Sequence, residues 1–232
     1  MKSIICEKSE AVMKAAEQIK DLLKAKPDAV LALAGGRSTR DLYLKLAEMC
    51  ENKEISFRDA RIFLVADFDE APEGMSYREK LERDLISRID LKEENWFCIT
   101  KDNFKDYDDM IKEQGGIDLI VLGLGANAHI GFNEPAVPFN SLSHRQRITD
   151  ATKRQNSAEF GGEDKVPGIG YTMGIMTIYQ AEKFMVMAFG DEKAEPVFKM
   201  YYGRNDSRFP AAFLQVPTEV NCYMDKAAAA KL

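Results

Sequence analysis

The chain has 232 residues, enough to bury the core of one α/β domain, and 45% of them are hydrophobic. Its 32 basic and 38 acidic residues give a net charge of −6 without the clustered Lys and Arg of a nucleic-acid surface, so no nucleic-acid partner is expected. The N-terminal segment reaches acidic residues too early for a secretory signal, and no uncharged apolar run approaches the roughly 20 residues of a membrane span, so we expect a cytoplasmic protein.

The first part of the chain predicts a helix, a strand and a second helix. Residues 8 to 25 carry apolar side chains at helical spacing and end before Pro27. Residues 29 to 34 (AVLALA) are uniformly apolar, as in a strand that is buried on both faces. A second helix is predicted from Thr39 to Met49.

The turn between this strand and the second helix predicts an anion site, formed by Gly35, Gly36, Arg37 and Ser38. A helix start directs unpaired N–H groups and the positive end of the helix dipole at one point, and phosphate is the expected guest. The alternative is an ordinary tight turn with Ser38 as the N-cap. The G-x-x-x-x-G-K-[ST] spacing of a Walker loop is absent.

An acidic cluster follows the next predicted strand, Arg61 to Ala66. It contains Asp67, Asp69 and Glu70. A carboxylate at a strand end can act as a general base that removes a carbon-bound proton. The alternative is a solvated acidic loop.

Further helices and strands then alternate along the chain. We predict a helix over 77–89, a strand over 96–100, a helix over 104–114 and a strand over 117–122. A repeated β-α unit implies parallel strands joined by right-handed crossovers.

The loop after the strand at 117–122 carries the most chemistry. In GLGANAHIGFNEP, two glycines are followed by Asn127, His129, Asn133 and Glu134. These polar groups lie where an open α/β sheet places its ligands, so His129 is a candidate acid or base with Glu134 as its partner. The alternative is a hydrogen-bonded structural histidine. The G-x-G-x-x-A spacing also fits a dinucleotide fingerprint, but a glycine and two prolines in HIGFNEPAVP make the required helix improbable.

The C-terminal half begins with a break in the β-α rhythm. Residues 135 to 170 hold three prolines and four glycines, so we predict a long irregular segment with at most one short strand, forming a lid or a contact within a homo-oligomer. Lys193 is predicted in the first turn of a later helix, where a cation opposes the helix dipole. Contact with a bound anion would explain this position; the alternative is a chance surface lysine. The remaining predictions are a helix at 172–181, strands at 183–189 and 220–224, an irregular stretch at 201–217 and a short or frayed helical tail.

These elements predict one Rossmann-like α/β domain over residues 1–232, with a mostly parallel central sheet and helices on both faces. No metal site is predicted. The cysteines lack CxxC spacing and are expected to be reduced thiols; they are Cys6, Cys50, Cys98 and Cys222.

Together, the segments resemble the glucosamine-6-phosphate deaminase (isomerase) family. The resemblance rests on AGGRSTRDLY, the acidic cluster, GLGANAHIGFNEP and FGDEKA, in the family's order and approximate spacing. The related 6-phosphogluconolactonases are similar at the glycine loop but follow the histidine with a different segment, so HIGFNEP favours the amino-sugar branch. PAAFLQV also resembles the family's galactosamine-6-phosphate isomerases.

The resemblance implies a cofactor-free conversion of glucosamine or galactosamine 6-phosphate and water into a ketose 6-phosphate and ammonia. His129 would carry the ring-opening proton, with Glu134 as its partner. The base at C2 would be Asp69, if the family's Asp-Glu pair is matched, or Asp67, if the strand end is matched. The phosphate ligands would be Gly35, Gly36, Arg37, Ser38 and Lys193.

Two positions depart from the family pattern. Asn127 stands where the family has an aspartate. In a serine protease the same change lowers turnover by roughly 10⁴ because the wrong histidine tautomer is held, so reduced activity is expected. Ala158 stands where the family has a phosphate-binding arginine, and Lys153, Arg154 or Arg37 would have to supply the missing charge. Lactone hydrolysis and non-catalytic sugar-phosphate binding therefore remain as alternative functions.

Overall fold

The computed structural model describes residues 1–232, and its centre is a sheet of seven strands. The chain forms ten strands: β1 (Lys2–Ile5), β2 (Val30–Leu33), β3 (Arg61–Leu64), β4 (Ala66–Phe68), β5 (Trp96–Phe97), β6 (Leu119–Gly123), β7 (His144–Arg147), β8 (Ile169–Thr172), β9 (Lys183–Ala188) and β10 (Val220–Met224). Seven α-helices connect them: α1 (Lys8–Ala25), α2 (Arg37–Glu51), α3 (Tyr77–Asp84), α4 (Tyr107–Glu113), α5 (Asp150–Phe160), α6 (Ile175–Tyr179) and α7 (Ala194–Tyr202).

Every strand pair in the central sheet is parallel, in the order β1-β10-β9-β6-β2-β3-β5. After β2, the next strands of this sheet, β3 and β5, are added on one side. After β6, the strands β9 and β10 are added on the other side. The junction of β2 and β6 is therefore a topological switch point, where the loops after two neighbouring strands diverge and leave a crevice.

The core lies on both faces of this sheet. Along β2, Val30 and Ala32 belong to one apolar cluster, whereas Leu31 and Leu33 belong to the other. Helices α1, α2 and α3 cover the second face, and α4, α6 and α7 cover the first. The predicted parallel sheet with helices on both faces is confirmed. No helix has the length and apolar character needed to cross a bilayer.

A second, antiparallel sheet of three strands, in the order β4-β8-β7, was not predicted. The strand predicted at 61–66 divides at Val65, whose N–H still bonds to Leu33 in the central sheet while its carbonyl accepts from Met173 beside β8. Asp67 consequently lies within a strand, and Asp69 follows it.

The prediction of an irregular stretch over 135–170 is wrong in its main part. This stretch contains two strands, β7 and β8, and the eleven-residue helix α5. Thr149 caps α5 by accepting a hydrogen bond from the N–H of Thr152, and Gly161 ends the helix in the left-handed conformation at φ 72°. A role as a lid or subunit contact remains a prediction.

The remaining differences between the predicted and the observed elements lie near the two chain termini and in the lengths of single elements. The N-terminal strand β1 was missed, and the chain after Met224 forms turns instead of a helix. Several predicted elements are shorter than expected, and the stretch at 201–217 includes a 3₁₀ turn, Pro210–Gln215.

Candidate active site

A cavity of about 190 Å³ opens at the switch point of the central sheet. Its walls come from the loops that follow β2, β6 and β9, three neighbouring strands, together with α5. Only five of its twenty lining residues are hydrophobic, so the cavity suits a small polar ligand. The lining includes six of the residues predicted for the site: Gly35, Gly36, Arg37, Ser38, His129 and Lys193.

The loop after β2 forms an anion-binding helix start. Gly36 is the N-cap of α2, with φ 123°, so the expected alternative of Ser38 as N-cap is wrong. The hydroxyls of Thr39 and Tyr43 both donate to the carbonyl of Ala34, at 2.9 and 2.6 Å, and fix the loop against the helix. The first amides of a helix have no intrahelical partner, and α2 has no acidic residue in its first turn to satisfy them. They are available to a phosphate.

Lys193 supplies a buried positive charge to the same cavity. Its side chain is 4% exposed, forms no salt bridge, and donates to the carbonyl of Leu124 at 2.8 Å. Burial lowers the pKa of the Lys193 ammonium; the negative charge of Glu192, which also lines the cavity, raises it by less, and the charge of Arg37 has a small lowering effect. Because it is costly to bury a cation that forms no salt bridge, the site favours a bound anion near Lys193 and Arg37.

His129 lies in the wall of the same cavity, in a hydrogen-bonded network. Its Nδ1 is 2.7 Å from Oδ1 of Asn127, and Nδ2 of Asn127 donates to Oε2 of Glu134 at 2.7 Å. Thr152 donates to Oε1 of Glu134 at 2.5 Å and lies 3.2 Å from Nδ1 of His129. The close approach of Gly125 to the imidazole leaves no space for a side chain at position 125.

This network determines which nitrogen of His129 carries the proton. A carboxylate only accepts hydrogen bonds, so Glu134 must face the NH₂ group of Asn127 and the amide oxygen must face the histidine. Nδ1 therefore donates to Asn127, and Nε2 keeps the free lone pair of a base. The geometry argues against the tautomer error expected from Asn127. Glu134, with Oε2 3.6 Å from Nδ1, also supplies the charge that an amide lacks.

Glu134 is held ionised by these contacts. Burial raises the pKa of its carboxyl, but His129 and the hydrogen bonds from Thr152 and Asn127 outweigh burial and lower the pKa to about 2 from 4.5. Between pH 2 and pH 4.5, the unfolded chain therefore binds more protons at Glu134 than the folded protein does. The resulting stability is complete above pH 4.5 and is lost as the pH falls towards 2.

We expect Glu134→Gln to remove this pH dependence. In wild type, the contribution of Glu134 to the free energy of unfolding should fall by about 3 kcal/mol as the pH decreases through this window. Urea unfolding at pH 5.5 and pH 3 should show about 2 kcal/mol of this loss in wild type, because pH 3 is still above the folded pKa, and no such loss in the variant. Equal losses of stability in the two proteins would contradict the assignment of a depressed pKa to Glu134.

Neither candidate C2 base lies in the wall of the cavity. The carboxylate of Asp67 accepts from the backbone N–H groups of Phe68, Tyr77 and Arg78 and is directed at the start of α3. Burial raises its pKa to about 6, against the opposing effect of these donors. Asp69 is half-buried, and its carboxylate accepts one hydrogen bond, from the hydroxyl of Tyr171 at 3.3 Å.

Helix α5 contributes site residues that the sequence reasoning missed. Besides Thr152, it places Gln155, Asn156 and Glu159 in the cavity wall. Their spacing of three and four residues, between the cap Thr149 and Gly161, was the available signal. Of the cations proposed to replace the arginine missing at position 158, only Arg37 lines the cavity; Lys153 and Arg154 do not. Lys8, which also lines it, was not predicted.

Comparisons with known proteins show the family of the chain. The profile of the family described as "Glucosamine-6-phosphate isomerases/6-phosphogluconolactonase" matches residues 8–223. The chain is 36% identical to a glucosamine-6-phosphate deaminase of Clostridium botulinum (strain Alaska E43), covering 100% of this chain and 97% of the relative. It is also 36% identical to one of Mycoplasma mycoides subsp. mycoides SC, covering 100% and 98%.

Solved structures give the same result for the fold. A monomeric glucosamine-6-phosphate deaminase superposes with a TM-score of 0.95 at 29% identity, covering 100% of both chains. A 6-phosphogluconolactonase from Trypanosoma brucei superposes with a TM-score of 0.80 at 18% identity, covering 100% of this chain and 98% of the other. At that identity the likeness concerns the fold alone.

Proposed function

Because the chain belongs to the glucosamine-6-phosphate isomerase/6-phosphogluconolactonase family, we propose that it is an amino-sugar-phosphate deaminase. It converts glucosamine 6-phosphate and water into a ketose 6-phosphate and ammonia. The reaction opens the sugar ring, moves a proton from C2 to C1 and releases the nitrogen.

The observation that supports this proposal is the convergence of an anion site and a proton-transfer group on one cavity. The start of α2 and Lys193 form the anion site, and His129 presents its imidazole to the same space. A phosphate bound by the first two groups holds the rest of a sugar within the cavity. Such positioning accelerates the reaction because the sugar is already held in the orientation that proton transfer requires.

His129 carries the ring-opening proton. In its neutral form, Nε2 accepts the proton of the C1 hydroxyl, and the resulting imidazolium donates a proton to the ring oxygen. The positive charge that forms during this transfer is stabilised by Glu134, 3.6 Å from Nδ1. Asn127 transmits the orientation set by Glu134, and Thr152 holds the other carboxylate oxygen.

Asp69 is the proposed base at C2. Its carboxylate has a single, long hydrogen bond, whereas the carboxylate of Asp67 is engaged by three backbone amides that hold it at α3. Asp69 is therefore the less constrained of the two carboxylates, and we assign it to the substrate. It removes the C2 proton from the open-chain sugar and returns it to C1.

Glucosamine 6-phosphate is preferred to galactosamine 6-phosphate as the substrate because the relatives at 32% to 38% identity carry that sugar in their names. Lactone hydrolysis has weaker support, since the lactonases match at no more than 18% identity. A phosphorylated sugar does not cross a membrane unaided, so the cytoplasm is the proposed location.

A coupled assay for ammonia tests the proposal. Glutamate dehydrogenase, supplied with 2-oxoglutarate, reports ammonia through NADH oxidation when the protein is mixed with glucosamine 6-phosphate or galactosamine 6-phosphate. Because 6-phosphogluconolactone contains no nitrogen, its hydrolysis is followed separately, through NADPH formation by 6-phosphogluconate dehydrogenase. We expect saturable release from glucosamine 6-phosphate, slower release from its C4 epimer and no turnover of the lactone. Binding of both amino sugars without ammonia release would show a non-catalytic binder, and rapid lactone hydrolysis would show a lactonase.

A further inference from the structure

A charged groove adjoins the cavity at the N-terminal end of α2. Helices α2, α3 and α5 form its walls, and Gly36, Arg37 and Glu159 belong to both spaces. The groove collects four basic and two acidic side chains: Arg37, Arg40, Lys80, Arg83, Asp84 and Glu159. It therefore carries an excess of two positive charges in a chain whose net charge is −6.

The first acidic group is shared between two arginines. Asp84, whose side chain is 7% exposed, accepts from Nε of Arg40 at 2.9 Å and from Nε of Arg83 at 2.8 Å. Arg40 uses only its Nε–H in this contact, and the side chains of both arginines are 55% exposed. A guanidinium has five N–H donors, so each arginine retains free donors after Asp84 is satisfied.

The second acidic group is also shared between two cations. Glu159 is 2.5 Å from the ammonium of Lys80 but 3.7 Å from Nε of Arg37. The longer distance is outside hydrogen-bonding range, and the Arg37 side chain is 58% exposed. Arg37 is therefore loosely held at the boundary between the groove and the cavity.

We propose that this groove is a second anion-binding site, for a phosphorylated small molecule, and that it shares Arg37 with the catalytic cavity. Arginines presented in pairs bind phosphate oxygens through charge-assisted, bidentate hydrogen bonds. An anion in the groove attracts Arg37 away from the cavity and weakens sugar-phosphate binding there. By linkage, a sugar phosphate in the cavity weakens the groove site by the same factor.

Titration calorimetry with inorganic phosphate tests the proposal on the complete chain. We expect two binding events in wild type. Lys193→Gln should remove the event in the cavity and leave the other. Arg83→Gln should weaken the groove event by at least about tenfold, because it removes a charged hydrogen-bond donor, and leave the cavity event. Arg83→Lys should retain part of the groove affinity.

The matched control is Arg78→Gln. Arg78 lies on the same helix and pairs with Glu82 at 2.8 Å, outside the groove. It should keep both binding events. In Arg83→Gln, Arg40 still neutralises Asp84, and an unchanged circular dichroism spectrum and melting temperature confirm folding. Arg40→Gln is the second variant if Arg83→Gln unfolds.

A single binding event in wild type, or two events that are unchanged in both Arg83→Gln and Arg40→Gln, would overturn the groove site. Repeating the titration with sorbitol 6-phosphate separates the ligand sources. A second event with both probes supports a phosphorylated small molecule as the ligand, and a second event with inorganic phosphate alone overturns that assignment. These measurements do not depend on turnover. If the ammonia assay shows no deaminase activity, the groove proposal is unaffected. If the groove binds no anion, the proposed deaminase activity is unaffected.

Discussion

Replacing His129 by glutamine should reduce ammonia release by roughly 10²- to 10⁴-fold in kcat, the usual contribution of a positioned acid or base. Glutamine can occupy the space beside Gly125 and hydrogen-bond to Asn127, but its amide does not exchange a proton with the sugar hydroxyl. The phosphate ligands are unchanged, so KM should change little. Steady-state kinetics with glucosamine 6-phosphate provide both values.

The other histidine of the chain supplies the control. His144 lies in β7, outside the cavity, and its Nδ1 is 2.8 Å from the carbonyl of Leu142. His144→Gln should keep wild-type kcat and KM. If His129→Gln also keeps kcat within about tenfold of wild type, ring opening by this imidazole is not limiting, and the assigned acid-base role fails.

The parts of the site that the sequence predicted are local in the chain. Residues 29–38 contain a buried strand, a glycine turn and a helix start, and this order alone determines where the N–H groups point. Asn127, His129 and Glu134 lie within eight residues of one loop, so their contact needs little tertiary information. The meeting of these two loops followed from the prediction that their strands are parallel.

The contribution of α5 was not predictable from hydrophobic periodicity. Its three buried residues are Thr152, Asn156 and Phe160, at helical spacing, but two of them are polar because this face covers a polar cavity instead of an apolar core. A pattern search for apolar residues misses such a helix. The caps Thr149 and Gly161 were the remaining signal, and they were obscured by the many glycines of the segment.

The division of the strand after Val65 depends on tertiary contacts. The apolar run RIFLVA predicts one continuous strand, but the carbonyl of Val65 bonds to Met173, more than 100 residues later in the chain. This contact directs the following residues into the second sheet. The positions of Asp67 and Asp69 relative to the substrate therefore could not be assigned from the order of the residues.

Asp69→Asn should lower kcat by roughly 10²- to 10⁴-fold by removing the base at C2, because an amide does not accept a proton at neutral pH. Ring opening by His129 should continue. With glucosamine 6-phosphate deuterated at C2, the variant should therefore retain the label while wild type releases part of it to solvent. Mass spectrometry of the recovered sugar phosphate measures the label directly, independently of ammonia.

Asp67→Asn is the matched variant, and its main effect should be on the pH dependence of stability. The folded pKa of about 6 lies above the ordinary value of 3.8, so the folded protein binds more protons at Asp67 between these values. The free energy of unfolding therefore falls by about 3 kcal/mol as the pH rises through this window, and the variant should lack this fall. Turnover should persist, since the amide oxygen of the substituted side chain can still accept from the backbone N–H groups of Phe68 and Tyr77. If Asp67→Asn instead stops label release while Asp69→Asn does not, the two roles are exchanged, and the buried carboxyl with the raised pKa is the C2 base.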